Sequence, residues 1–260
     1  MIHSGIYYEP DSLKARLCVD GALQMYAFCD EHAIDFSRCG KLIIARSEDE
    51  LPRLDELERR GRANGVAGLR RVVSGGIPEI EPNAVGVALR LKRTEQPVVK
   101  GMIYLVSDPD LPFPGVHITP IIDGDVLLGP TALPVASRTA YRLGALDLRD
   151  AARTLTWPGS WRAARRLWRT GLSEVQMAAS RKAFVTACTA YVPSLSTSDL
   201  GGTTMAGVRA QAVGRDGRLV DDFVIEQRGS VAYVRNAPSP AATSAFALAA
   251  EIVGRLESRG

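Results

Sequence analysis

Val234-Arg235-Asn236-Ala237-Pro238-Ser239-Pro240-Ala241-Ala242-Thr243-Ser244 joins the last strand-like stretch of the chain to its last helix. Pro238 and Pro240 withhold backbone donors and fix the entry to a helix expected over Pro240 to Leu256, where Ala and larger apolar residues recur at helical spacing. The first amides of such a helix have no partner within it, so its start attracts negative charge. An ordinary proline-started helix accounts for the same residues. Upstream, RAQAVGR (209–215) and RLVDDFVIE (218–226) flank Asp216-Gly217, and VAYVRNA (231–237) follows Arg228-Gly229-Ser230. Asp-Gly favours the positive dihedrals of a tight hairpin turn, so 209–237 reads as a three-stranded meander.

At the other end, MIHSGIYY (1–8) leads into a turn at Pro10-Asp11. Leu13, Leu17, Cys18, Met25, Phe28 and Cys29 then recur at helical spacing, which predicts a helix from Ser12 to Ala33. A strand is expected over Leu42–Ala45. Ser47 with Glu50 makes a capping-box pattern for a second helix, lined by Leu51, Leu54 and Leu57 and stopped by Asn64-Gly65. From Gly101 the period becomes that of strands: MIYLV (102–106), then VHITPII (116–122) and DVLLG (125–129) joined across Asp123-Gly124. This predicts antiparallel sheet, and a basic helical region follows over Leu146 to Lys182.

The 260 residues, 46% of them apolar, suffice for one large domain or two small ones. A net charge of +3 from 32 basic and 29 acidic residues gives no single-sign field that would favour nucleic acid. Cys18, Cys29, Cys39 and Cys188 form no CxxC pair and have no His at zinc spacing, so no metal site is expected. No signal peptide or membrane span is read, and a reducing cytoplasm is the expected compartment.

HSGIYY (3–8), SLKARLCV (12–19), CGKLIIA (39–45), EIEP (79–82), FPGVHITP (113–120), LLGP (127–130), AGVRAQA (206–212) and RNAPSPAATS (235–244) resemble, in this order, motifs of the FAD-dependent L-2-hydroxyglutarate oxidases and dehydrogenases. These belong to the D-amino-acid-oxidase-like FAD-dependent oxidoreductases. The resemblance implies an α/β (α+β) fold: an incomplete FAD-binding domain of the glutathione-reductase type and a substrate domain built on antiparallel sheet. Residues 1–90 would hold the remnant of the FAD domain and the start of the substrate domain, 91–200 the substrate domain, and 201–260 the return of the FAD domain. It also implies oxidation of L-2-hydroxyglutarate, or a similar 2-hydroxyacid, to 2-oxoglutarate by hydride transfer to FAD, a small-molecule substrate and no nucleic-acid partner.

Such a reaction needs a base for the hydroxyl proton and cations for two carboxylates. Only His3, His32 and His117 are available as imidazoles. His3 lies in the motif expected near the flavin and His117 in the VHIT strand, and both are candidates for base or substrate contact. His32 ends a helix and reads as a dipole partner or surface residue. Arg209 is the candidate carboxylate clamp, with Lys14 and Arg16 as weaker alternatives. Ser4, Gly5, Asn236, Ala237, Pro238, Ser239 and Ala241 are the expected cofactor contacts, and Tyr7 and Tyr8 read as pocket wall or as core.

The sequence departs from the family in two places. No GxGxxG occurs, and the text opens in what is the middle of the family's flavin domain, so a truncated chain with weakened FAD binding is expected. A second break is read near Leu89 to Lys92. Thr131 stands where the family has Asn, and 133–141 matches loosely. The alternative reading is therefore an inactive, truncated homologue acting at most as a binding module. Apart from these motifs, SWRAARRLWRTG (160–171) sets Arg162, Arg165, Arg166 and Arg169 beside Trp161 and Trp168, a pattern for peripheral contact with an anionic membrane or for a solvated basic face.

Overall fold

The computed structural model describes residues 1–72, 77, 87–90, 101–106, 117–121, 126–129, 133–139, 141, 145–189, 197 and 207–258. The chain forms two units, one of Met1–His32, Leu133–Arg169 and Thr203–Gly260, the other of Ala33–Ala132 and Thr170–Gly202. Both are discontinuous in sequence, so their bounds differ from the contiguous segments 1–90, 91–200 and 201–260.

In the first unit, α1 (Leu13–Glu31) starts where Ser12 Oγ accepts the Ala15 amide at 3.1 Å. The Asp222 carboxylate accepts the Leu13 and Lys14 amides at 3.2 and 2.7 Å. His32 closes the helix, its ring stacked on Phe28 at 4.0 Å, as a cap rather than a site residue. The buried side of α1 sets Leu17 against Phe223 and Ala247, with Leu13, Ala237, Ala241 and Leu248 around them. Gly21 is the point of α1 that comes closest to a neighbouring backbone: a Cβ there would lie 2.4 Å from the Thr243 carbonyl oxygen and 2.7 Å from Ser244 Cα.

Three elements differ from their sequence expectations. The last helix, α6, runs Ala245–Glu257, and 240–244 is turn, with the Ser244 amide bonded to Pro240 O at 3.0 Å. The segment Thr243–Ser244 is pressed against Gly21 and follows the surface of α1 before its own helix begins. The meander reduces to a hairpin of β7 (Val224–Arg228) and β8 (Val231–Asn236) around Gly229, with one isolated bridge, Val213 to Leu219. Beside that bridge, Trp157 Nε1 donates to Val213 O at 2.9 Å and Arg162 to Arg215 O at 2.5 Å. The basic helical region is three helices, α3 (Leu148–Thr156), α4 (Pro158–Ala179) and α5 (Arg181–Thr189). Pro158 cannot donate back into α3 and holds Trp157 extended, at φ −81° and ψ 117°.

The second unit is built on a six-stranded sheet in the order β2-β3-β1-β4-β5-β6, with β1 (Lys41–Ala45) buried throughout. The sheet is mixed rather than wholly antiparallel, because β1 pairs in parallel with β4 (Met102–Leu105). The expected hairpin of β5 (His117–Pro120) and β6 (Val126–Gly129) forms with His117 opposite Gly129, while its turn at Asp123-Gly124 lies outside the described residues. The edge strand β2 (Arg70–Val72) and β3 (Val87–Arg90) have no counterpart among the sequence expectations. EIEP, most of FPGVH, Pro130 and Thr131 also lie outside the described residues.

Leu42, Ile44, Ile103 and Ile118 share one face of this sheet and pack with Val72, Ile77 and Cys188. Helix α2 (Leu51–Ala63) buries Leu54 and Leu57 and ends at Asn64, with Gly65 at φ +72°. Its capping box does not form. Ser47 makes no side-chain cap, and Glu50 instead accepts the Arg46 amide at 2.8 Å and the Arg46 guanidinium.

Gly21→Ala separates the close contact from intrinsic propensity, since Ala is otherwise better than Gly inside a helix by ~1 kcal/mol. The clash with the Thr243 backbone predicts instead a loss of about 1–3 kcal/mol in urea unfolding. Unchanged or higher stability would mean that Gly21 does not touch that segment. A second test concerns Glu251, which accepts from Arg16 on α1 at 2.8 Å and from Arg255 at 2.8 Å. The Arg16 and Arg255 guanidinium groups hold its carboxyl below the ordinary 4.5. Its stabilisation is therefore full above pH 4.5 and lost as pH falls through the lowered value. Glu251→Gln should lower stability at pH 7 by under ~1 kcal/mol, the gap closing in acid; a gap independent of pH would contradict the pairing.

Candidate functional site

In the first unit the structure brings MIHSGIYY and the 236–244 loop together. The His3 amide donates to Thr243 Oγ1 at 3.1 Å, and Cys18 Sγ of α1 lies 3.7 Å from the His3 carbonyl. Gly5 turns the chain at φ +85°, where a side chain would be strained and its Cβ would meet Val19 Cγ2 at 2.8 Å. Ser4 Oγ and Ser244 Oγ are buried without a hydrogen-bond partner among the described residues. A buried hydroxyl left unbonded is costly, so such groups mark where a polar ligand atom would be accommodated.

The other expected cofactor contacts divide in two. Asn236 is buried, and its amide nitrogen donates to Val220 O at 2.9 Å and to Asp222 O at 2.8 Å, so it holds the loop. Pro238 is fully buried, and Ala237 and Ala241 pack on the Leu17 cluster; their side chains shape the loop from behind. Ser239, half-buried in the same loop, precedes a cis Pro240.

Lys14 is placed more tellingly than its sequence context suggested. It is only 2% exposed, its Nζ bonded to Asp221 at 2.7 Å and 4.5 Å above the Tyr8 ring. Burial pushes its pKa down against the pull of Asp221, and the nearby charge of Arg209 pushes the same way. Arg209 itself is exposed. Two cations thus stand near each other, one buried and one exposed, and the buried one is paired with a carboxylate at 69% side-chain exposure. Arg16 is occupied by Glu251.

In the second unit His117 stacks on Tyr104 with ring centroids 4.1 Å apart and planes 12° apart. Lys41 Nζ lies 4.0 Å from the centre of the same ring. Since β4 lies between β1 and β5, Lys41 and His117 approach the Tyr104 ring from its two sides. Lys41 and Tyr104 are buried, and burial pushes the phenol pKa well up, so the ring is neutral. His117, half-buried, is the accessible end of this column.

Sequence reasoning did not single out Lys41, Tyr104, Asp221, Asp222 or Ser244. A lysine opening an otherwise apolar strand and an acidic pair before a core Phe223 are signals that could have marked Lys41, Asp221 and Asp222. Lys14→Met tests whether the buried ammonium serves stability. Because Asp221 stays solvated, the variant should match or exceed the native midpoint in urea at pH 7. The folded chain gives up the Lys14 proton before the unfolded chain does, so native stability gains as pH rises toward 10.5, and Lys14→Met should lack that gain. A large loss at pH 7 would make the pair structural.

A family model described as FAD dependent oxidoreductase matches residues 1–96. The L-2-hydroxyglutarate dehydrogenase of Indibacter alkaliphilus is 30% identical over 95% of this chain and 85% of its own length. The mitochondrial L-2-hydroxyglutarate dehydrogenase of Nematostella vectensis is 33% identical over all of this chain and 80% of its own length. That of Escherichia coli K12 is 30% identical over 99% and 82%. The Nematostella alignment runs over 368 residues against 260 here, so the relative carries internal sequence without a counterpart in this chain. Among solved structures, the dithionite-reduced L-alpha-glycerophosphate oxidase of Mycoplasma pneumoniae with FAD bound shares the fold, with a TM-score of 0.65 over 98% of this chain and 83% of its own at 15% identity. With relatives at 30% identity or more spanning nearly all of it, this chain belongs to the L-2-hydroxyglutarate dehydrogenase family of FAD-dependent oxidoreductases.

Proposed function

We propose that this chain oxidises L-2-hydroxyglutarate, or a closely similar 2-hydroxyacid, to the 2-oxoacid, with FAD as its cofactor. The observation that carries the reading is the contact between His3 and Thr243, which joins the two motifs that resemble the family's flavin-facing segments. The residues fit such a group: Ser4 and Ser244 offer unbonded hydroxyls, and the loop from Ala237 to Ala241 is built of small residues and proline. FAD, when bound, supplies the acceptor for the hydride that leaves the hydroxyl-bearing carbon.

The chain's own groups then do three things. His3 takes the hydroxyl proton, imidazole being the side chain whose ordinary pKa lies near neutrality; His117, held in plane by Tyr104, is the other candidate. Arg209 holds a carboxylate through two parallel N–H bonds, and Lys14 beside it adds a second positive charge. Asn236 acts at a distance, by fixing the loop that carries Pro238 and Ser239.

The test is anaerobic addition of L-2-hydroxyglutarate to the purified chain supplied with excess FAD, so that cofactor occupancy does not limit the result. Bleaching of the flavin's visible band by the L- and not the D-enantiomer is expected. His3→Gln should slow bleaching by about 10²–10⁴-fold at unchanged FAD content, and Arg209→Ala should act mainly on the substrate concentration needed. Bound FAD that no 2-hydroxyacid reduces would contradict the reading and favour a binding module.

A further inference from the structure

The sheet of the second unit carries a polar column of which the flavin reading uses only His117. In this sheet Leu42, Ile44, Ile103 and Ile118 face the apolar core, so the alternation of side chains sends Lys41, Ile43, Tyr104, His117 and Thr119 to the opposite face. The registers bring three of them into line. Ile103 pairs with Ile118 in antiparallel strands, which sets His117 directly across from Tyr104. Lys41 pairs with Met102, two residues before Tyr104 and on the same face. Lys41 and Tyr104 are buried, and His117 is half-buried.

The Lys41 ammonium lies 4.0 Å from the centre of the Tyr104 ring, within the range of a cation–π attraction that desolvation strengthens. The His117 ring stacks on the same ring from the side of β5, with centroids 4.1 Å and planes 12° apart. The cation draws on the negative face of the phenol ring, and an uncharged imidazole stacks against a ring so polarised. An imidazolium would instead bring a second positive charge to a ring that already serves one, in surroundings where burial leaves the repulsion largely unscreened. Tyr104 does not relieve it by ionising, since burial pushes the phenol pKa well up against the pull of the Thr119 hydroxyl. β5 packs on β4 and β6, and the titratable side chains of these three strands are Tyr104 and His117. Cys39, half-buried just ahead of β1, acts on the phenol and pushes its pKa further up. Lys41 is therefore the charge that His117 faces across the ring.

We propose that Lys41 is a positioning residue for His117: acting through the Tyr104 ring, it holds the imidazole stacked, in plane and uncharged. An uncharged imidazole keeps one acceptor nitrogen, which is the form that can receive a hydrogen bond or a proton from a hydroxyl. The inference rests on the 2-hydroxyacid reading only for the identity of that hydroxyl. The state of the imidazole is a property of the second unit alone and is read without flavin or turnover.

The test is a pH titration of the imidazole signals of the full chain by nuclear magnetic resonance, the chain having 3 His and the His117 signals being those lost in His117→Gln. In the native chain His117 should give up its charge at a lower pH than the exposed His32, a comparison that needs no variant. Lys41→Met keeps the apolar stem and removes the charge, so the His117 midpoint should move up by about one pH unit, a tenfold tighter hold on the proton. Lys41→Arg should restore the native midpoint. Tyr104→Phe, which keeps the ring and drops the hydroxyl, should titrate as the native chain does. With FAD and L-2-hydroxyglutarate, the acid limb of flavin reduction should move in Lys41→Met by the same amount and in the same direction. A native His117 that titrates with or above His32, or a midpoint that Lys41→Met leaves unchanged or lowers, would overturn the proposal. Absence of flavin reduction with the expected titrations would count against the 2-hydroxyacid reading and leave the role of Lys41 standing.

Discussion

A helix that starts inside a folded unit leaves amide donors to be satisfied, and α1 meets this with Asp222, more than two hundred residues away in sequence. The carboxylate accepts the Leu13 and Lys14 amides and that of its own neighbour Phe223 at 2.8 Å, and its main-chain carbonyl receives the Asn236 amide. One residue thus fixes the start of α1, the turn into β7 and the end of β8. Two further features of the first unit depend on it: Lys14 is drawn into the interior beside Asp221, and α1 is set where Gly21 admits the Thr243–Ser244 backbone.

Elements whose signals are local were legible in the sequence. Ser12 starts α1 as its side chain requires, Asn64-Gly65 stops α2, and alternation over 117–129 gives the β5–β6 pair. Signals that a distant group could overrule misled. Ser47 and Glu50 had the spacing of a capping box, but the Arg46 guanidinium took Glu50. The strand read over 209–215 keeps only the bridge from Val213 to Leu219, and the helix expected from Pro240 begins at Ala245, after a turn that lies against Gly21.

The candidate site was legible as segments, not as chemistry. The resemblance named HSGIYY and RNAPSPAATS, and the fold brings them into contact, yet Asn236 proves to be the peg of its own loop. Lys14, Tyr104 and Lys41 gain their interest only from burial and from what they face. A lysine at helical or strand spacing looks the same whether it ends in water or over a ring. The column of Lys41, Tyr104 and His117 crosses three strands whose order no local pattern discloses.

In the proposed reading the N-terminal segment and the loop before α6 form the cofactor-facing surface of the first unit. Amide hydrogen exchange of the chain with and without added FAD addresses it residue by residue. Slower exchange on FAD addition over residues 3–8 and 237–244, with 158–169 unchanged, is expected. Protection that spares both segments and falls elsewhere in the chain would contradict it.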